Sequence, residues 1–198
     1  MVTHSEQGIG YHLIADSSLL TNNKPFFVPD FAPAFILHAG IAVRIHRLGK
    51  TIAERFAPRY YQSLAACGVV EATGVEGNPF DARFTAFDGA FFLGEWHQKE
   101  VFNAESGIAV EALSANSHAD TSATISFADI NRAIAQASAY FTLKMGDILV
   151  LGTHTAGHPL SIGEHISATI GGEQSLTIRI KYNQRDIISK KIQNNKKI

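Results

Sequence analysis

Of the nine histidines in this chain, His38 lies in the segment whose pattern says most about chemistry. It belongs to ILHAGIAVRIHRLGK, Ile36 to Lys50, where strict alternation predicts a β-strand. Ile41, Val43 and Ile45 share one face; His38, Gly40, Ala42 and Arg44 share the other. Residues two apart on a strand point the same way, so this surface offers one imidazole and, at Gly40, no second donor for a cation or a proton relay. His154 and His158 are four apart, which on a helix would aim both rings at one metal. GTHTAGHP contains glycine and proline and predicts a turn instead, and Thr155 stands where a helical HExxH zinc motif needs its glutamate. Asp88 beside Gly89, and Glu95, read as acids that satisfy backbone amides in turns. No GxSxG, no paired nucleophile and base and no glycine-rich phosphate loop occurs, so the hydroxyls and the single thiol, Cys67, carry no signature of nucleophilic catalysis.

The elements that position these residues alternate irregularly. PFFVPDF, residues 25–31, has prolines around it that permit an edge strand or extended loop. After the strand that ends near Gly49, Thr51 and Glu54 form a TIAE capping box that predicts a helix start, with Pro58 limiting its continuation. Leu64 to Val70 is apolar and predicted buried, residues 71–83 read as a loop, and FTAFDGAFFLGEW is an aromatic-rich strand with a bulge or close approach at Gly89. Residues 98–122 are small and polar, with one weak strand over 107–113. The clearest helix runs from Ser126 to Leu143: Ser126 and Asp129 can cap it reciprocally, and Phe127, Ile130, Ile134, Ala137 and Phe141 form one stripe. Gly146 is predicted to close it. ILVLG is a strand, and HISATI, GGEQ and SLTIRI predict a hairpin. Hairpins with few helices give an α+β class.

With 198 residues, 45% hydrophobic and 18% charged, the chain is long enough for one domain with a sizeable core. A net charge of −1 offers no field for nucleic acid or acidic lipid. A lone cysteine excludes an intrachain disulfide and fits a reducing compartment, and no apolar stretch is long enough to span a bilayer. These readings predict a cytoplasmic protein that binds neither nucleic acid nor membrane. Residues 1–182 are expected to form the single domain, and 183–198 a basic polar tail, solvated rather than structured.

Three segments, GKTIAERFAPRYYQSLAACG, FTAFDGAFFLGE and FTLKMGDILVLGTHTAGHPLSIGEHISATIGGE, together resemble the catalytic domain of the fumarylacetoacetate hydrolase family, roughly over Asp16 to Lys181. The last is the most specific, because the family reads close to LKPGDxIxTGTPxGVGPLxxGDxVxxxIEG there. The resemblance implies a mixed β-sandwich roll, a homodimer, and cleavage, hydration, isomerisation or decarboxylation of small 2-oxo and β-diketo acids on Mg²⁺ or Mn²⁺. The family's metal is held by two glutamates of an ExE strand and an aspartate about thirty residues later. In this sequence the glutamates fall on His38 and Gly40, and the aspartate on Val69 or Val70. A hard ion in near-octahedral oxygen coordination is not served by those side chains, so no cofactor is predicted. A frequent pocket lysine appears as Thr85, the proline of the GTP turn as His154, and the NYxxHxxE acid–base segment as GYHLIADSS, which keeps a tyrosine and one displaced His12.

The resemblance brings the strand and the turn together around His38, Thr153 and His154, a vestigial pocket suited to a small carboxylate ligand, with Thr153 at the position of the family's carboxylate-holding threonine. His38 also reads simply as a hydrogen-bonded packing residue. Two functions follow. One is a diverged family member, a binding or structural paralogue without the metal-dependent C–C chemistry; a variant of it is a scaffold whose dimer surface is the function. The alternative is an active hydrolase, isomerase or decarboxylase on a small 2-oxo or β-diketo acid, with another metal held by His38 and acids such as Glu71 or Glu76, or with a metal-free mechanism. The feature that separates them is whether a carboxylate from the 71–81 stretch reaches His38. If strand geometry alone decides, carboxylates restored at His38, Gly40 and the proper valine should bind Mn²⁺.

Overall fold

Alternation of side chains along two long neighbouring strands builds the centre of the molecule. In the computed structural model, which describes residues 2–5, 8–11, 13–77, 81–103, 105–114, 121–153 and 157–182, the strands in chain order are β1 (Val2–Ser5), β2 (Gly8–Tyr11), β3 (Leu19–Thr21), β4 (Pro25–Val28), β5 (Ala34–Ile45), β6 (Tyr61–Thr73), β7 (Phe91–Leu93), β8 (His97–Gln98), β9 (Ile108–Ser114), β10 (Thr121–Ile125), β11 (Ile148–Leu151), β12 (His158–Pro159), β13 (His165–Ile170) and β14 (Glu173–Tyr182). One sheet is ordered β11-β5-β6-β7-β3, with β12 beside β5 and β8 beside β6; the other is ordered β10-β9-β13-β14-β4, and β1 and β2 form a separate hairpin. Pairing is antiparallel except for β3 with β7 and β14 with β4. The sheets are therefore mixed, and their inner faces enclose the main core, which makes the predicted α+β sandwich roll.

The register of β5 against β6 decides where the chemistry-bearing residues stand. Leu37, Ile41, Val43 and Ile45 point inward and are almost wholly buried, together with Leu64, Ala66 and Val70 from β6. Each large side chain so buried contributes about 1.5–3 kcal/mol, so a one-residue slip, which would turn this whole set outward, is excluded. His38, Gly40 and Ala42 are thereby fixed on the outer face. That face is not bare. Ala42, Ala65, Cys67, Val69, Phe91, Leu93 and Val150 form a second buried apolar cluster on it, against which Ile14, Trp96 and Ile148 pack.

The α-helix α1 spans Phe127–Tyr140 and buries Ile130, Ala133, Ile134 and Ala137. Its predicted capping box forms, with the Asp129 amide donating to Ser126 Oγ at 3.1 Å and the Ser126 amide to Asp129 Oδ2 at 3.1 Å. It ends before Leu143, with Phe141 already extended, so Gly146 at φ 96° belongs to the turn into β11 and is not the helix stop. The TIAE segment does not start an α-helix. Thr51 has φ 52°, and only a 3-10 helix, Glu54–Arg59, follows, without a side-chain cap. The segment that reads as a loop from residue 71 begins three residues later, because β6 continues through Thr73. PFFV forms the expected edge strand, β4, and the 165–182 hairpin is present. Strand β10 had no counterpart in the sequence reading: TSATI buries only Thr121, Ala123 and Ile125, a weak apolar signal. No helix among the described residues is long and apolar enough to cross a membrane. His12, His154 and the 183–198 tail lie outside the described residues.

Candidate functional site

Antiparallel partners directly opposite one another share a face. His38 stands opposite Val69, Gly40 opposite Cys67, and Leu37 opposite Val70. Val69 is thus on the outer face with His38 and Gly40, whereas Val70 is in the core between the sheets. The positions at which the resemblance expects the family's ligands, 38, 40 and 69, therefore share one face.

At Gly40 there is no space for a side chain. A β-carbon there would lie 2.5 Å from the Leu151 carbonyl oxygen and 2.9 Å from Thr153 Cγ2. Strand β11 has closed on β5 over that residue. Val69 is buried in the apolar cluster with Phe91 opposite it on β7. His38 is enclosed on two sides. Its Nε2 lies 3.1 Å from Glu71 Oε2, and a β-carbon on Gly157 would meet its Cε1 at 2.8 Å. Among the described residues the donors brought together here are one imidazole and one carboxylate, and no group of three His, Cys, Asp or Glu side chains able to hold a metal occurs among them. These residues do not fit the Mg²⁺ or Mn²⁺ ion that the family implies, which needs several oxygen ligands in near-octahedral geometry.

Glu71 comes from two residues beyond Val69 on β6, opposite Ile36, and so stands diagonal to His38 on the same face. The carboxylate that the alternative function requires does reach His38. The pair is nonetheless at the rim, with side-chain exposures of 19% for His38 and 46% for Glu71. Glu71 was foreseen as a candidate, but not as a strand residue, and the contact depends on a register that the sequence of one strand does not contain.

Thr153 lies against Gly40, and Gly157 against His38, so both residues stand beside the His38 strand. Thr153 is buried at 6% exposure, and its Oγ1 has no hydrogen-bond partner among the described residues. A buried hydroxyl left unpaired is costly unless something answers it. Asp88 is exposed in a turn, and Glu95, between β7 and β8, accepts from Asn22 Nδ2 at 3.2 Å.

His158 and Glu164 form a buried pair that sequence reasoning missed. His158 is opposite Leu37 on β12 and therefore turns inward. Its Nε2 donates to Glu164 Oε1 at 2.6 Å, with exposures of 4% and 2%. The Ser161 amide donates to Glu164 Oε2 at 2.9 Å. Burial raises the Glu164 carboxyl, but hydrogen bonds from the Ser114 side chain, the Ser161 amide and His158, with the attraction of the imidazole, together hold it below the usual carboxylate range. A signal existed. Against the family pattern, His158 stands where a glycine is usual and Glu164 where the shorter aspartate is, two departures six residues apart that answer one another.

Comparison with known proteins agrees with this architecture. The family described as fumarylacetoacetate (FAA) hydrolase C-terminal matches residues 11–181. A fumarylpyruvate hydrolase from Pseudomonas aeruginosa, solved in complex with Mn²⁺ and pyruvate, superposes with a TM-score of 0.78 at 14% identity, over 88% of this chain and 79% of that one. A 5-carboxymethyl-2-hydroxymuconate delta-isomerase from Mycobacterium smegmatis gives 0.73 at 21% identity, over 88% and 69%. A maleylpyruvate hydrolase from Sphingobium sp. SYK-6 gives 0.73 at 19%, over 84% of this chain and 63% of that one. No curated protein sequence matches. With the family match covering residues 11–181 of the 198, the chain belongs to the fumarylacetoacetate hydrolase family, through its C-terminal-type domain.

Proposed function

We propose that this protein is a diverged fumarylacetoacetate hydrolase-like paralogue that has kept the fold for binding or structural purposes and does not perform the family's metal-dependent C–C bond chemistry. The observation that carries this reading is at Gly40, where β11 leaves no room for the second ligand of an ExE pair. Val69 in its apolar cluster and His38 committed to Glu71 agree with it. Retention of a packed framework without its site is what a change of role produces. The unpaired Thr153 hydroxyl leaves a place for a small ligand, and the homodimer and the cytoplasmic address are carried with the proposal on family and composition grounds.

The test is thermal denaturation with and without millimolar Mg²⁺ or Mn²⁺. Binding to the native state at a hundred times the dissociation constant would add about 2.7 kcal/mol. No upward shift is expected; a reproducible one abolished by EDTA overturns the reading. The His38–Glu71 contact favours a second reading, a metal-free imidazole–carboxylate base acting on a small 2-oxo acid. General-base catalysis typically supplies about 10²–10⁴ in rate, so by itself it leaves acylpyruvates, fumarylpyruvate and oxaloacetate turning over slowly and without response to chelator. Turnover near the ordinary enzyme range of roughly 1–10³ per second, lost in His38→Ala, would establish that second reading.

A further inference from the structure

A cavity of about 490 Å³ lies between Tyr11 and residues 13–16, strand β11 and the C-terminal end of α1. Its volume is that of a small-molecule site, and its lining is chemically one-sided. Three aromatic rings, Tyr11, Phe91 and Phe141, contribute to walls that are otherwise largely aliphatic. The charged side chains among the described lining residues are Asp16 and Asp147; none is lysine, arginine or histidine.

These features have the same electrostatic sign. Aromatic faces carry negative quadrupole charge and attract cations, ammonium groups above all. Tyr11 is held edge-on to Phe141 with centroids 5.5 Å apart, so two of the rings brace one another. Asp147 is fixed by the Lys144 amide, which donates to its Oδ2 at 2.7 Å. Asp16 stands exposed in the first turn of the 3-10 helix Asp16–Ser18. The end of α1 adds the partial negative charge of its terminal carbonyls, of which Lys50 takes up those of Ala139 and Tyr140. An anion entering here would meet the two carboxylates, while the ammonium of Lys50 is held on the helix-end carbonyls and is not among the described lining residues.

We infer that this cavity binds a small organic cation, an amine or quaternary ammonium carried on an apolar body. The inference deepens the binding role proposed above and rests on it, and it reverses the charge preference of a site for 2-oxo acids. The apolar body gains from the buried walls and the cation from the rings and the two aspartates.

The test is a calorimetric or NMR titration at neutral pH, in EDTA, with three probes of matched size: phenethylamine, 2-phenylethanol and phenylacetate. The amine should bind at least about tenfold more tightly than the acid, a difference of 1.4 kcal/mol, with the alcohol between them. Asp16→Lys, at an exposed position that leaves the fold intact, should abolish or reverse that order. Phe141→Ala should weaken all three probes. Acid binding as strong as amine binding, no amine binding below about 10 mM, or an order untouched by Asp16→Lys would each overturn the inference. A repeat with Mn²⁺ separates the two proposals: acid binding that appears only with the metal sinks the loss of metal chemistry and leaves the amine arm in EDTA to judge the cavity.

Discussion

The carbonyl oxygen of Leu151 stands 2.5 Å from the point that a β-carbon on Gly40 would occupy. A backbone oxygen cannot rotate away as a side-chain end can, so any residue other than glycine must push β11 off β5. That displacement would disturb the ladder from Ile41↔Leu151 to Arg44↔Ile148. Gly40→Ala is therefore expected to cost about 1–3 kcal/mol, the usual range for overpacking a filled core, in urea denaturation followed by circular dichroism. The triple variant His38→Glu, Gly40→Glu, Val69→Asp should fail to gain Mn²⁺ binding, because its second carboxylate has no place to stand and its third is set in an apolar cluster. This reverses the expectation from strand alternation alone. Unchanged stability in Gly40→Ala would show that the strands separate freely and that the position is open.

Glu164 makes stability depend on acid. Its carboxyl is held below the ordinary value of 4.5 in the folded protein, so on acidification the unfolded chain takes up that proton first. Its contribution is fully present above the ordinary value and is lost as pH falls through the lower, folded one. Wild-type stability should therefore decline more steeply below about pH 4.5 than that of Glu164→Gln. At neutral pH the substitution should lower stability by about 1.5–3 kcal/mol, the usual worth of hydrogen bonds to a charged group. Parallel acid limbs for the two proteins in urea titrations between pH 3 and 7 would refute this role.

How far the sequence discloses the molecule can be judged from these places. The two faces of the β5 segment are legible because Ile41, Val43 and Ile45 alternate with His38, Gly40 and Ala42, and the Ser126–Asp129 box is legible because both its partners are local. Where Thr51 takes a positive φ, the same kind of local motif misleads, since the backbone there turns to meet α1: the Thr51 amide donates to the Ser138 carbonyl at 2.8 Å. That His38, Gly40 and Val69 offer no set of carboxylates is readable from residue types. The closure at Gly40 is not, because it depends on how near β11 lies. Nor are His38 with Glu71 and Gly157, or the cavity beside Tyr11, which need registers and approaches between segments far apart in the chain. His158 and Glu164 lie between these cases, since their paired departure from the family pattern was visible but its meaning required the inward turn of β12.

Cys67 reports whether the outer face is closed. It lies opposite Gly40 on β6, with Leu93 opposite it on β7, and is buried at 1% exposure. Burial pushes its thiol well above the usual range, and the thiolate is the reactive form. If the cluster of Ala42, Val69, Phe91 and Val150 is packed as the structure has it, reagent must wait for the protein to open. Reaction with 5,5′-dithiobis(2-nitrobenzoic acid) at pH 8 should thus be negligible in native protein and complete in urea, and its rate at intermediate urea should follow the unfolded fraction. Gly40→Ala, by pushing β11 outward, should speed labelling below the unfolding transition without a second reactive thiol to confuse the reading, since Cys67 is the single cysteine. Fast labelling of the native wild type would mean that solvent reaches the face where the family holds its metal, and the filled-site reading of this protein would fall with it.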